Sequence, residues 1–117
     1  MFQSDKDLFN HILDEIQFLK SEVVKTDEDE FLSSDMKKRA FARSIEIIGE
    51  AVKNLSSVVI SNNSHIKWRN ISGMRDKLIH GYFSVNYKLV WDVAKNLIPD
   101  FEKQILEIKD KNPELFS

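Results

Sequence analysis

Phe41-Ala42-Arg43-Ser44-Ile45-Glu46-Ile47-Ile48-Gly49-Glu50-Ala51-Val52-Lys53-Asn54-Leu55 sets apolar residues at 41, 45, 48, 52 and 55. Steps of three and four build one continuous apolar face on an α-helix. The spacing predicts a helix from about residue 30 to residue 57. The acidic run Thr26-Asp27-Glu28-Asp29-Glu30 before it offers N-cap side chains and negative charge where a helix dipole favours anions.

Leu8, Ile12, Ile16, Leu19 and Val23 form a similar stripe on a first long helix starting near Ser4 or Asp5. The short connection makes these two helices antiparallel neighbours. After the polar break Ser61-Asn62-Asn63-Ser64, a third helix begins near Lys67 or Trp68, carries Ile71, Met74 and Leu78 on one side, and ends at Gly81 as its C-terminal cap. A fourth stripe, Leu89, Val93 and Leu97, continues past Pro99 through Phe101, Ile105 and Ile108. It is one helix bent near Ile98 or two in succession, and Lys111-Asn112-Pro113 ends it. No segment alternates as a strand. The expected fold is all-α, an antiparallel bundle of four to five helices in a single domain spanning residues 1–117.

The chain has 117 residues, three glycines, two prolines and no cysteine. That is enough for one modest core. Without cysteine there is no disulfide framework, thiolate metal site or cysteine nucleophile, which fits a reducing cytosol. No basic and apolar leader opens the chain, and no apolar run approaches a bilayer-spanning length, so a cytoplasmic protein with no membrane association is expected. The net charge of −2 hides an uneven distribution. Residues 1–36 sum to −7, residues 37–82 to +6 and residues 83–117 to −1. A basic middle suits a local cleft for a phosphate backbone, and equally suits solvated helix faces that neutralise one another in the fold.

The chemistry concentrates in Arg75-Asp76-Lys77-Leu78-Ile79-His80-Gly81-Tyr82. Arginine carries a fixed charge suited to phosphate, and histidine exchanges protons near neutrality. On a continuous helix turning about 100° per residue, Arg75 falls inside the sector of Ile71, Met74 and Leu78. A buried guanidinium needs a partner. Arg75 must therefore meet a carboxylate such as Glu46 or Glu50, open into a crevice, or lie at a subunit interface. His80 would point about 140° away from Arg75 on the same helix. The two converge only if the helix unwinds before Gly81, or if a two-fold dimer brings two copies of the motif together. Asp76, four residues before His80, can accept a hydrogen bond from its ring. Taken singly, His80 reads as a capping residue and Tyr82 as a core or interface aromatic.

Arg75-x4-His80-x-Tyr82 resembles the Arg-x4-His-x-Tyr signature of the HepT-like branch of the HEPN superfamily, helical toxins paired with MntA-type minimal nucleotidyltransferase antitoxins. Residues 43–51 resemble that family's second-helix pattern, and Trp68-Arg69-Asn70-Ile71-Ser72-Gly73-Met74 resembles its usual lead-in. Phe83, Val85 and Val90-Trp91 fall where the family places a Tyr-Phe-x-Val run and a following Val-Trp. The resemblance implies a homodimeric, metal-independent endoribonuclease acting on RNA without a cofactor. Arg75 would bind the scissile phosphate, His80 would handle a proton, and Asp76 would orient the site. Tyr82 matches the tyrosine that the partner nucleotidyltransferase modifies with AMP to silence the toxin. Arg43 and Glu50 would line or support the cleft.

Other constellations have plainer readings. Glu46 and Glu50, beside Arg39 and Arg43, form a salt-linked ladder more readily than a carboxylate metal pair. His11 and His65 stand apart from each other and from any ligand spacing. Trp68 and Trp91 are core or dimer-interface aromatics before they are base-stacking platforms. No glycine-rich loop is present to cradle ATP. A non-catalytic helical subunit that presents nucleotide or substrate to a nucleotidyltransferase is the competing reading, and a purely structural bundle is a third.

Overall fold

The computed structural model describes residues 3–78 and 84–116, all in helices and their connections with no strand element among them. The expectations for His80, Gly81, Tyr82 and Phe83 lie outside the described residues.

Helix α1 (Asp5–Val23) starts where expected, because the Ser4 side chain accepts from the Asp7 backbone N–H. It buries Leu8, Phe9, Ile12, Ile16 and Leu19. The expected single helix from residue 30 to residue 57 is instead three elements. Asp27 caps a short α2 (Glu28–Leu32), and Ser34 caps α3 (Asp35–Lys53). The Ser33-Ser34 pair breaks the run, since short hydroxyl side chains bond locally to the backbone and compete with helix continuation; Ser33 Oγ donates to the Asp29 carbonyl. The break turns Phe31 into the core, where its ring lies 4.8 Å from Phe41 and 5.4 Å from Trp91. At the other end α3 stops at Lys53, and Ser56 caps a separate α4 (Ser57–Asn62) that the periodicity did not reveal.

The stripe Phe41, Ile45, Ile48, Val52 and Leu55 is buried as expected. Burying each large aliphatic or aromatic side chain contributes about 1.5–3 kcal/mol. Helices α1 and α3 run antiparallel. Asp5 reaches Ser56 at the end of α3, and Ser44, midway along α3, donates to the Glu15 carbonyl.

The third expected helix is also divided, into α5 (Trp68–Ser72) and α6 (Met74–Leu78), at Gly73. Ile71, Met74 and Leu78 are nevertheless all buried. Gly49 on α3 explains how closely α5 lies: a Cβ built there would stand 3.3 Å from the Ile71 carbonyl oxygen and 3.5 Å from that of Ser72. The absent side chain lets the end of α5 press against α3, and α6 starts from that point.

The fourth stripe belongs to one continuous helical path, α7 (Tyr87–Asp92), a π-helical segment (Val93–Leu97) and α8 (Ile98–Lys111). Within it the Ile98 N–H donates to the Val93 carbonyl, five residues back. This widened turn precedes Pro99, which has no N–H to give. Of the expected stripe Val93, Phe101, Ile105 and Ile108 are buried and Leu97 is partly buried, whereas Leu89 is 37% exposed and Val90, Ala94 and Ile98 complete the buried face. Trp68 and Trp91 are both core residues; Trp68 donates its Nε1–H to the Asn63 carbonyl and packs edge-on to Phe101. Their burial removes the base-stacking alternative. A short 3-10 turn (Pro113–Leu115) folds Phe116 back onto Phe9, ring centroids 4.5 Å apart. No helix among the described residues is long and apolar enough to cross a membrane.

Candidate functional site

Arg75 occupies the second position of α6, between the buried Met74 and the exposed Asp76. It is not the buried cation that a continuous helix implies. Its side chain is 46% exposed, although Ile71, Met74 and Leu78 of the same expected face are buried. Arg75 meets a carboxylate and also borders a small crevice. Arg75 Nε donates to Glu46 Oε2 at 2.6 Å, and Arg43 Nη1 donates to Glu46 Oε1 at 2.8 Å. One carboxylate thus holds two guanidinium groups, one on α3 and one on α6. With Nε engaged on Glu46, Nη1 of Arg75 lies 3.7 Å from Asp76 Oδ1. Asp76 itself is 87% exposed.

Glu46 is only 20% exposed, and its pKa is held below the ordinary carboxylate value, first by the Arg75 hydrogen bond and then by that of Arg43, against a smaller opposing effect of burial. The same pairing pushes the Arg75 pKa further up, so its charge is permanent at any physiological pH. Of the expected salt-linked ladder only Glu46 forms ion pairs, with Arg43 and Arg75; among the described residues no ion pair within 4 Å joins Glu50 or Arg39. Among the described residues no cluster of three or more His, Asp or Glu side chains is arranged to hold a metal ion.

Glu50 stands on the ridge of α3 between two grooves. On one side a small cavity of about 70 Å³ is lined by Gly49, Glu50, Lys53, Ser72, Arg75 and Asp76. On the other, between α1 and α3, a cavity of about 290 Å³ is bordered by Arg43, Glu50, Asn54 and His11. The structure thus brings Arg43, Glu50, Arg75 and Asp76 to adjoining surfaces. His11, which sequence spacing left isolated, faces this region, and the Gln3 amide lies 3.0 Å from its ring. Nothing in the linear pattern pairs His11 with Arg43, because the antiparallel packing of α1 on α3 alone makes them neighbours. The basic middle segment is partly neutralised within the fold: Lys37 pairs with Glu30, Lys38 with Asp35, and Arg43 and Arg75 share Glu46.

Residues 12–108 match the family described as Ribonuclease HepT-like. A "Putative RNase" of Caldanaerobacter subterraneus subsp. tengcongensis is 48% identical over 101 residues, covering 86% of this chain and 90% of that protein. A "Putative RNase" of Methanocaldococcus jannaschii is 39% identical over 106 residues, 88% of each chain. A "Probable ribonuclease HepT" of Thermococcus cleftensis is 32% identical over 109 residues, covering 93% of this chain and 99% of that protein. No solved structure matches the chain. With a family match across most of its length and relatives of this identity over nearly their whole sequences, the chain belongs to the HepT-like ribonuclease family.

Proposed function

We propose that the protein is a metal-independent endoribonuclease in which Arg75 binds the scissile phosphate and His80 transfers a proton. The observation that carries this reading, within a family of ribonucleases, is the half-exposed guanidinium of Arg75, fixed through Nε to Glu46 and with Nη1 3.7 Å from Asp76 Oδ1. A guanidinium so oriented offers two parallel N–H donors to phosphoryl oxygens as their negative charge develops. RNA supplies its own nucleophile. The 2′-oxygen gives up its proton and bonds to phosphorus, the bond from phosphorus to the 5′-oxygen breaks, and the departing oxygen takes up a proton. His80 is suited to these transfers because imidazole both accepts and donates near neutral pH. Asp76 helps to orient the site.

The family resemblance extends the reading to a toxin that works as a homodimer, the two protomers contributing their motifs to one cleft. An MntA-type minimal nucleotidyltransferase acts as antitoxin by transferring AMP to Tyr82. A bulky anionic adduct two residues from His80 would occupy the cleft and oppose RNA by charge.

The test is RNA cleavage by the purified protein in EDTA, with Arg75→Ala and His80→Ala alongside. Cleavage by the wild type, abolished in both variants with unchanged circular dichroism, is expected. Absence of cleavage across varied RNAs, together with binding to a nucleotidyltransferase, would replace this reading with that of a non-catalytic subunit.

A further inference from the structure

We infer that the groove between α1 and α3 is a nucleobase subsite, receiving the base of a nucleotide that flanks the scissile phosphate. The inference rests on the ribonuclease reading and specifies where the substrate continues beyond Arg75.

Three features carry it. The first is position. Glu50 borders both this cavity and the small cavity containing Arg75, so a strand whose phosphate lies on Arg75 has only the Glu50 ridge to cross before reaching the groove. Arg43 links the two sides, since it lines the groove while sharing the Glu46 carboxylate with Arg75. The second is composition. Leu8 and Ala51, both buried, and Ile47 give the cavity an apolar floor, while His11, Asn54 and Arg43 stand at its rim. A planar heteroaromatic base needs that combination, an apolar surface for its face and hydrogen-bonding groups at its edge. The third is size. At about 290 Å³ the cavity lies at the low end of the range for small-molecule sites, suiting one base with part of its sugar rather than a longer segment.

The rim is also held in place. Asn54 Nδ2 donates to the Glu50 carbonyl, which anchors its side chain along the end of α3, and Gln3 steadies the His11 ring from the start of α1. Arg43 keeps one edge of its guanidinium free after bonding Glu46 through Nη1, leaving donors for a base edge. The groups that contact the base are therefore oriented before RNA arrives, which favours discrimination between bases over mere adhesion.

The test uses the purified full-length chain and short RNAs that differ only in the nucleotides flanking the cleaved bond. His11→Ala and Asn54→Ala alter exposed side chains, and Ala51→Leu fills the floor. The expected result for His11→Ala and Asn54→Ala is a KM increase of roughly 10-fold on the preferred RNA, little change in kcat, and loss of preference at one flanking position. Arg75→Ala instead removes kcat. As an independent reading, AMP, GMP, CMP and UMP are titrated into the Arg75→Ala protein while the His11 ring signals are followed by NMR. Saturable shifts that differ among the four nucleotides support the subsite. Robust cleavage with unchanged preference in both rim variants, and no shift of His11, would overturn the subsite and leave the ribonuclease reading intact. No cleavage of any RNA by the wild type would overturn the ribonuclease reading, and with it the assignment of this groove to a flanking base.

Discussion

Glu46 Oε2 lies 2.6 Å from Arg75 Nε, and its other oxygen lies 2.8 Å from Arg43 Nη1, so a single carboxylate on α3 fixes the orientation of the arginine on α6. Two opposing effects follow for a phosphate substrate. The carboxylate aligns the guanidinium, and its negative charge also weakens the field that attracts RNA. Glu46→Gln keeps an oxygen able to accept from Arg75 but removes the charge, whereas Glu46→Ala removes both. Glu46→Ala is expected to lower kcat by about 10- to 100-fold through misplacement of Arg75. Glu46→Gln is expected to retain most of kcat and to lower KM. Steady-state cleavage kinetics separate the two, and equal kcat in wild type and Glu46→Ala would show that alignment through Glu46 is immaterial.

The same pair makes stability depend on pH in a defined direction. The folded state holds the Glu46 pKa below its ordinary value, mainly through Arg75 and then Arg43. Glu46 therefore contributes stability above the pKa it has when unfolded, and that contribution disappears as pH falls through its depressed folded value. Relative to wild type, Glu46→Gln is expected to be less stable at pH 7, with the gap closing in the acid range below the ordinary carboxylate pKa. Because Arg75 is half exposed, salt screens the pair and narrows the gap at neutral pH. Urea denaturation of both proteins across pH at low and high salt measures it. A gap that widened on acidification would contradict the assignment.

The stripes on residues 8–23 and 41–55 were legible because burial in a helical bundle enforces a three- and four-residue period, and those side chains form the core except Val23, which is only partly buried against it. What periodicity did not disclose were the interruptions. Ser33-Ser34 and Gly73 divide helices without disturbing the burial of the residues on either side, so Phe31 and Phe41, like Ile71 and Met74, are all buried yet sit on separate helices. On a wheel of about 100° per residue Val90, not Leu89, shares the face of Ile98, Phe101, Ile105 and Ile108, and it is Val90 that is buried. At the candidate site, Arg43, Glu50, Arg75 and Asp76 were marked by the family resemblance, and Glu46 or Glu50 was named as a partner for a buried Arg75; Glu46 is the partner, although Arg75 is half exposed. His11 was not marked, because its neighbours come from another helix.

Asp5 connects the beginning of the chain to the end of α3. Its carboxylate accepts from the Ser56 backbone N–H at 2.9 Å and from Ser56 Oγ at 2.7 Å, while Ser56 Oγ accepts from the Val59 N–H at the start of α4. Asp5→Ala removes both bonds and leaves the partly buried Ser56 N–H without its acceptor. A loss of about 1–3 kcal/mol in unfolding free energy is expected. Ser56→Ala removes only the hydroxyl part and the helix cap, for a smaller loss of about 1 kcal/mol. If the two proteins were equally stable, the backbone bond to Asp5 would be worth no more than the Ser56 cap on Val59. Chemical denaturation, with the double variant to report coupling, decides it.

Gly49 links packing to the site, because it is the point where α3 lets the end of α5 approach and so sets where α6 begins. A Cβ there meets the Ile71 and Ser72 carbonyl oxygens at 3.3 and 3.5 Å, the closer of which the fold can absorb only by a small displacement. Gly49→Ala also gains helix propensity of about 1 kcal/mol, so its net effect on stability is expected to be small. Gly49→Val adds branched bulk against backbone rather than against a yielding side chain, and is expected to cost about 1–3 kcal/mol. By pushing α5 outward it moves α6, which lengthens the reach from Arg75 to Glu46. Cleavage by Gly49→Val is therefore expected to fall in kcat even at temperatures where the protein remains folded. Thermal denaturation gives the stability cost, and kinetics well below the melting temperature give the effect on the site. Full activity in a folded but destabilised Gly49→Val protein would show that the placement of Arg75 does not depend on this close approach.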